Sequence, residues 1–119
     1  MIVNDIVNNI FMFEIFYYSD EVFESIEKWP PKIAASYARI ADRIIENGPN
    51  LGMPYTEALG DGLFEIRAKG QEGIGRAFFC TLVGRKIVIL HSFIKKTQKT
   101  PKKELEIARQ RMKDVKSHA

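Results

Sequence analysis

Apolar residues follow two rhythms along this chain, one repeating every second position and one every three or four. Phe13-Glu14-Ile15-Phe16-Tyr17-Tyr18 is dense in aromatic and β-branched residues and predicts a strand. Ser19, with Asp20 and Glu21 behind it, predicts a helix start: the hydroxyl can accept a free first-turn N–H, and the acids suit the positive end of the helix dipole. That helix should run to about Lys28, where Trp29-Pro30-Pro31 breaks it and can launch another, because a first-turn proline sacrifices no hydrogen bond. Ile33, Tyr37, Ile40, Ala41 and Ile44 then recur at helical spacing until Gly48-Pro49. The two helices are expected to form a hairpin laid across a sheet.

From Asn47 to Gly62, Gly, Pro and Asn come at short intervals without a sustained period, which reads as a long surface loop. Alternation resumes at Leu63–Lys69, with Phe64, Ile66 and Ala68 on one side and Glu65, Arg67 and Lys69 on the other. Residues 70–73 should turn the chain. Ile74–Val83 and Lys86–Ile94 flank Gly84-Arg85, a Gly-first pair compatible with a type II′ hairpin. Thr100-Pro101 places a capping hydroxyl ahead of a first-turn proline, and Leu105, Ala108, Met112 and Val115 form a narrow apolar stripe on a final helix. The expected fold is α+β: an N-terminal strand, a helical hairpin, a three-stranded antiparallel meander and a basic C-terminal helix. Residues 1–11 read as an extension and 12–119 as a single domain.

Composition narrows the class. At 119 residues and 45% hydrophobic content the chain can build one core, and no apolar run approaches the roughly 20 residues needed to span a bilayer. The first residues lack a basic segment, so a secretory signal is not supported and cytoplasmic residence is expected. A lone cysteine, Cys80, excludes an intramolecular disulfide and reads as a small core residue; with only His91 and His118 beside it there is no zinc-ligand spacing. The net charge of +3 hides an asymmetry: residues 1–84 hold 7 Lys/Arg against 12 Asp/Glu, and residues 85–119 hold 11 against 3. A basic pole that attracts phosphate-rich partners follows, with a merely solvated basic helix as the plainer reading.

Three stretches narrow it further. Leu63-Phe64-Glu65-Ile66-Arg67, then Gly75-Arg76-Ala77-Phe78-Phe79, then Ile89 to Pro101 with its run Phe93-Ile94-Lys95-Lys96-Thr97-Gln98-Lys99-Thr100-Pro101, resemble the phage-derived HigB-like branch of the RelE/ParE toxin superfamily. The likeness spans roughly Met12 to Val115; the segment before Met12 departs from it. The resemblance implies a toxin of a toxin–antitoxin system: a ribosome-dependent messenger-RNA endoribonuclease, inhibiting translation and held inactive by a cognate antitoxin, with a higher-order toxin–antitoxin complex among its expected assemblies. In that family the ribose 2′-hydroxyl attacks its adjacent phosphate, without a metal or other cofactor.

Such cleavage needs positive charge around the phosphorane, a proton acceptor and a proton donor. Arg67 and Arg76 are the candidate charge stabilisers, placed by the resemblance on the open face of the sheet, where guanidinium forks could grip phosphate oxygens. The plainer alternative is an arginine facing solvent or paired to Glu65. Lys95 and Lys96 follow the last strand; their mutual repulsion makes either a candidate for proton transfer or phosphate clamping. Lys69, Lys99, Lys102, Lys103 and Arg109 are candidate RNA contacts, and Arg111 and Lys113 either contact phosphates or solvate the helix. His91 is a tempting base, but period two groups it with Ile87, Ile89 and Phe93 on a strand apolar on both faces, which favours a structural histidine. Among Tyr17, Tyr18, Tyr37 and Tyr55, only Tyr37 is assignable, to the core; any of the others could stack on a base.

No phosphate-binding Gly-rich loop, paired-histidine metal motif or nucleophile elbow is present. Two other classes compete with the ribonuclease: a non-enzymatic ParE-like toxin that binds DNA gyrase, and a basic nucleic-acid-binding module.

Overall fold

The computed structural model describes residues 12–95 and 101–119. Eight elements follow in order: β1 (Glu14–Tyr17), α1 (Asp20–Glu27), α2 (Pro31–Asn47), β2 (Thr56–Gly60), β3 (Leu63–Gly70), β4 (Gly73–Leu82), β5 (Lys86–Lys95) and α3 (Lys102–Ser117). The five strands form one mixed sheet in the order β1-β5-β4-β3-β2, antiparallel from β2 to β5 and parallel between β1 and β5. The α+β class and element order match the sequence reading, with one addition. The stretch expected to be a loop contains β2, an edge strand, so the meander has four strands. Its residues, Thr56-Glu57-Ala58-Leu59-Gly60, do not alternate between apolar and polar, so this short strand carries no period-two signal.

Ser19 caps α1, its hydroxyl accepting from the Val22 N–H at 3.3 Å. The α2 helix opens at Pro31 and ends where Gly48 takes a φ of +91°. The β4–β5 connection departs from the expected type II′ turn: Gly84 and Arg85 both have positive φ, and Val83 joins them between the paired residues Leu82 and Lys86. At the start of α3 no side-chain cap is made by Pro101. The capping role expected of Thr100 lies outside the described residues, as do the extension 1–11 and the catalytic or RNA-contact roles of Lys96 and Lys99.

Each sheet face has its own core. Under α1 and α2, Val22, Ile26, Ile33, Tyr37, Ile40 and Ile44 pack on Ile66, Ala68, Ala77, Phe79, Ile87 and Ile89. Under α3, Ala108 and Met112 pack on Leu63, Phe78, Cys80, Val88 and Leu90. Close approach of α2 depends on Gly75, where a Cβ would lie 2.6 Å from the Trp29 ring.

A β-bulge reorganises β5. Cys80 pairs with Val88 and Phe79 with Ile89, but Phe78 pairs with His91, which leaves Leu90 as an extra residue. Arg111 on α3 donates to the Leu90 carbonyl at 2.8 Å. Beyond the bulge the alternation changes phase. His91, Phe93 and Lys95 therefore share the α3-side face with Val88 and Leu90, not the helical-hairpin face with Ile87 and Ile89 as strict period two predicts.

Candidate functional site

The α3 helix covers one end of its sheet face; toward the other end the same face carries charge. Alternation puts Glu65, Arg67 and Lys69 of β3 on this face, and register brings Arg76 opposite Arg67 and Glu65 opposite Glu57 of β2. The phase change in β5 adds Lys95 to the group. Three of the four residues assigned to catalysis, Arg67, Arg76 and Lys95, thus converge.

They converge through carboxylates. Arg76 is ion-paired with Glu65, and both are sequestered, at 2% and 1% exposure of their side chains. Arg67 reaches Glu57 at 3.4 Å and Glu65 at 3.8 Å. The pairing to Glu65 considered for either arginine is present for both, so Arg76 is not the freely open side chain that the resemblance implied. Its burial follows from register: a strand-centre arginine beside a carboxylate can leave water because its charge is matched.

The matching is incomplete. The Nε of Arg67, the Nε of Arg76 and the Oε2 of Glu65 are buried without a hydrogen-bond partner among the described residues. Buried N–H groups of this kind are costly unless something accepts them, and an anionic oxygen would reach these two only if the side chains opened to admit it. Lys95 is 4% exposed. Burial, followed by the positive charge of Arg76, pushes its ammonium below the ordinary lysine value; Glu65 pulls the other way, Arg67 adds to the depression, and Glu57 again opposes it. Repulsion from the arginines across the sheet thus acts on Lys95, while the repulsion expected from Lys96 lies outside the described residues.

The other candidates are dispersed. Lys69 lies on the charged face of β3 and is exposed, as are Lys102 and Lys103 in the first turn of α3 and Lys113 further along it. Arg109 is committed to the β2–β3 turn, donating to the Leu59 carbonyl at 3.3 Å and lying 3.7 Å from Asp61. His91 is bonded through Nε2 to Glu104 of α3 and sits beside Phe93. Arg111, besides bracing the bulge, lies over the Tyr18 ring, and the Tyr18 hydroxyl donates to Asp114 at 2.8 Å. The Tyr17 and Tyr37 hydroxyls are hydrogen-bonded at 2.8 Å, and burial pushes both upward, which suits neither to proton transfer. Cys80 is buried and its thiol is pushed up by that burial, the reverse of what a nucleophile needs. Sequence reasoning missed Glu57, because β2 was not recognised. It named Glu65 only as a partner.

Among the described residues there is no group of three or more His, Cys, Asp or Glu side chains placed to hold a metal ion, and no helix long and apolar enough to cross a membrane.

Comparison with known proteins places this arrangement. Two solved structures from Staphylococcus aureus have a similar fold. One, of the YoeB-YefM complex, aligns at 18% identity with a TM-score of 0.52 over 70% of this chain and 97% of that one. The other, a heterotetrameric complex of the YoeB-YefM toxin-antitoxin, aligns at 19% identity with a TM-score of 0.52 over 71% and 98%. No curated protein sequence matches. The family model described as phage derived protein Gp49-like (DUF891) matches residues 24–113, from within α1 to near the end of α3 and including the whole charged face, and the chain belongs to that family.

Proposed function

We propose that this protein is the toxin of a toxin–antitoxin pair and acts as a metal-independent endoribonuclease on messenger RNA at the ribosome. The observation that carries the reading is the meeting of Arg67, Arg76 and Lys95 on one patch, with guanidinium Nε groups that have no acceptor among the described residues. Membership of a phage-derived family and a fold shared with chains of toxin–antitoxin complexes support it. The ParE-like alternative gives those N–H groups no task, whereas a binding-only module would use them on phosphates and differs in leaving the RNA uncut.

In the proposed reaction the 2′-oxygen attacks the adjacent phosphorus and loses its proton, the bond from phosphorus to the 5′-oxygen breaks, and that oxygen gains a proton. The products are a 2′,3′-cyclic phosphate and a 5′-hydroxyl. Arg67 and Arg76 would hold the non-bridging oxygens as negative charge develops, the role in which preorganised donors contribute most. Glu57 and Glu65 would hold the two forks in place. Lys95, with its ammonium already less firmly protonated than a free lysine, is suited to protonate the leaving oxygen. Lys96, Lys69, Lys99, Lys102, Lys103 and Arg109 would serve the approach of RNA, while His91 is left a structural role. An antitoxin would restrain the enzyme by covering the patch. Residues 12–119 would be the toxin domain, and its target places its action in the cytoplasm.

Expression from a tight promoter, followed by mapping of the 5′ ends of cellular messages, tests the proposal. Growth arrest with cuts in register with codons is the expected result, abolished by Arg67→Ala in a protein whose melting is unchanged. Arrest without any new 5′ ends would instead favour the gyrase-binding alternative.

A further inference from the structure

The two arginines belong to a row that crosses the sheet. Phe93 on β5 pairs with Arg76 on β4, Arg76 pairs with Arg67 on β3, and the Arg67 N–H donates to the carbonyl of Tyr55 at 2.9 Å. Two guanidinium side chains are therefore flanked along one line by an aromatic residue at each end. With adjacent strands ~4.8 Å apart, Tyr55 stands one strand spacing from Arg67 and the row spans about 14 Å.

The two aromatic ends differ. Phe93 is held by its core, tilted against Phe78 with 5.7 Å between centroids. Tyr55 lies in the turn that leads into β2, with 37% of its surface exposed. The guanidinium of Arg43, from α2 on the opposite face of the sheet, sits 4.9 Å from its ring centroid and holds the ring at the β2 edge, and the Tyr55 hydroxyl makes no hydrogen bond among the described residues. The other tyrosines are committed, Tyr17 and Tyr37 to each other and Tyr18 to Asp114 and Arg111. An exposed ring at the sheet edge, one strand from Arg67 and held from behind by a cation, offers a planar ligand a free face.

Resting on the ribonuclease reading, we infer that Tyr55 is a base-stacking, specificity-determining residue: it receives a base flanking the phosphodiester gripped by Arg67 and Arg76. RNA lying across the strands would place its phosphate on the guanidiniums while a flanking base, unstacked from its neighbours, lies on the Tyr55 ring. Recognition of single-stranded RNA works in this way, by splaying bases onto aromatic faces. Arg43 keeps the ring in place and adds a cation to the stack.

The test uses the full chain and ribosomes programmed with short messages differing only in the base on either side of the cut. Single-turnover cleavage is measured against protein concentration for the wild type and for Tyr55→Phe, Tyr55→Leu, Tyr55→Ala and Arg67→Ala. Tyr55→Ala and Tyr55→Leu should raise the half-saturating concentration by roughly 5- to 150-fold, the worth of one base on an aromatic ring, and should level the rates among the messages. Tyr55→Phe should keep the wild-type values, because the ring and not the hydroxyl does the binding. Tyr55→Leu retains the bulk against Arg43 and carries the test should the alanine variant melt early. If Tyr55→Leu cleaves every message as the wild type does while Arg67→Ala has lost cleavage, the inference is overturned and the ribonuclease reading stands. Loss in Tyr55→Phe equal to that in Tyr55→Ala also overturns it. Failure of the wild type to cut any message overturns both.

Discussion

Arg76 and Glu65 show how an isolated residue's chemistry depends on what its strand neighbours do. A buried guanidinium left without its carboxylate is costly, so Glu65→Ala should destabilise the fold by about 3–5 kcal/mol, measured by denaturant unfolding. Arg67, which keeps some contact with solvent, is the better probe of chemistry: Arg67→Ala should remove cleavage with little change in melting, and Arg67→Lys should restore little because an ammonium lacks the two-pronged geometry. For Lys95 the sign follows from burial. Its pKa in the folded state lies below its unfolded value, so the unfolded chain binds the proton more tightly in the interval between the two. Stability should rise with pH across that interval, the folded state being penalised at all lower pH. Comparing melting temperatures of the wild type and Lys95→Met from neutral pH to about pH 10 should show this rise in the wild type alone. What the chain displays at this scale is the kind of chemistry: cationic residues at strand positions are plain to read. Their carboxylate partners are not, because Glu57 matters only once β2 is known to lie beside β3.

Elements were legible where their signals were long or punctuated. The seventeen-residue α2 between Pro31 and Gly48 and the capped start of α1 follow directly from residue type. Removing the cap, Ser19→Ala, should cost about 1 kcal/mol in unfolding free energy. The strands β3 and β4 were found by alternation and turn residues, whereas β2 was hidden by its length and β5 was found but mis-phased. A bulge leaves no mark of its own among apolar residues, since Ile89-Leu90-His91 reads equally well in either phase. Contact between α2 and the sheet is similarly invisible before coordinates are known. Gly75 looks like an ordinary strand glycine, yet a methyl group there would meet Trp29 and Ile33 at 2.6 and 2.7 Å. Gly75→Ala should therefore destabilise by about 1–3 kcal/mol through overpacking, and Trp29→Leu in the same chain should recover part of the loss.

Across the whole molecule, charge is segregated along the sequence. The terminal third supplies most of the excess cations, and α3 presents Lys102, Lys103 and Lys113 to solvent. These residues should govern encounter more than the chemical step. Reversing Lys102, Lys103 and Lys113 to glutamate should slow association with programmed ribosomes at low salt by about tenfold or more, with the difference shrinking as salt is raised and the single-turnover rate at saturation unchanged. Because α3 is anchored by Ala108, Met112 and the Arg111 and Tyr18 contacts, such changes on its solvent side leave the fold intact.

The phase of β5 ties catalytic competence to chain length past the bulge. Excising Leu90 would remove the bulge and make Ile89 and His91 neighbours opposite Phe79 and Phe78, so every later position keeps its face: Lys95 stays with the guanidiniums and Ile94 stays toward α2. A one-residue deletion at this point should thus spare cleavage, whereas one residue inserted between Ser92 and Phe93 should abolish it by turning Lys95 toward α2. The deletion would still take away the carbonyl to which Arg111 is fastened, so the terminal helix would lose a tether.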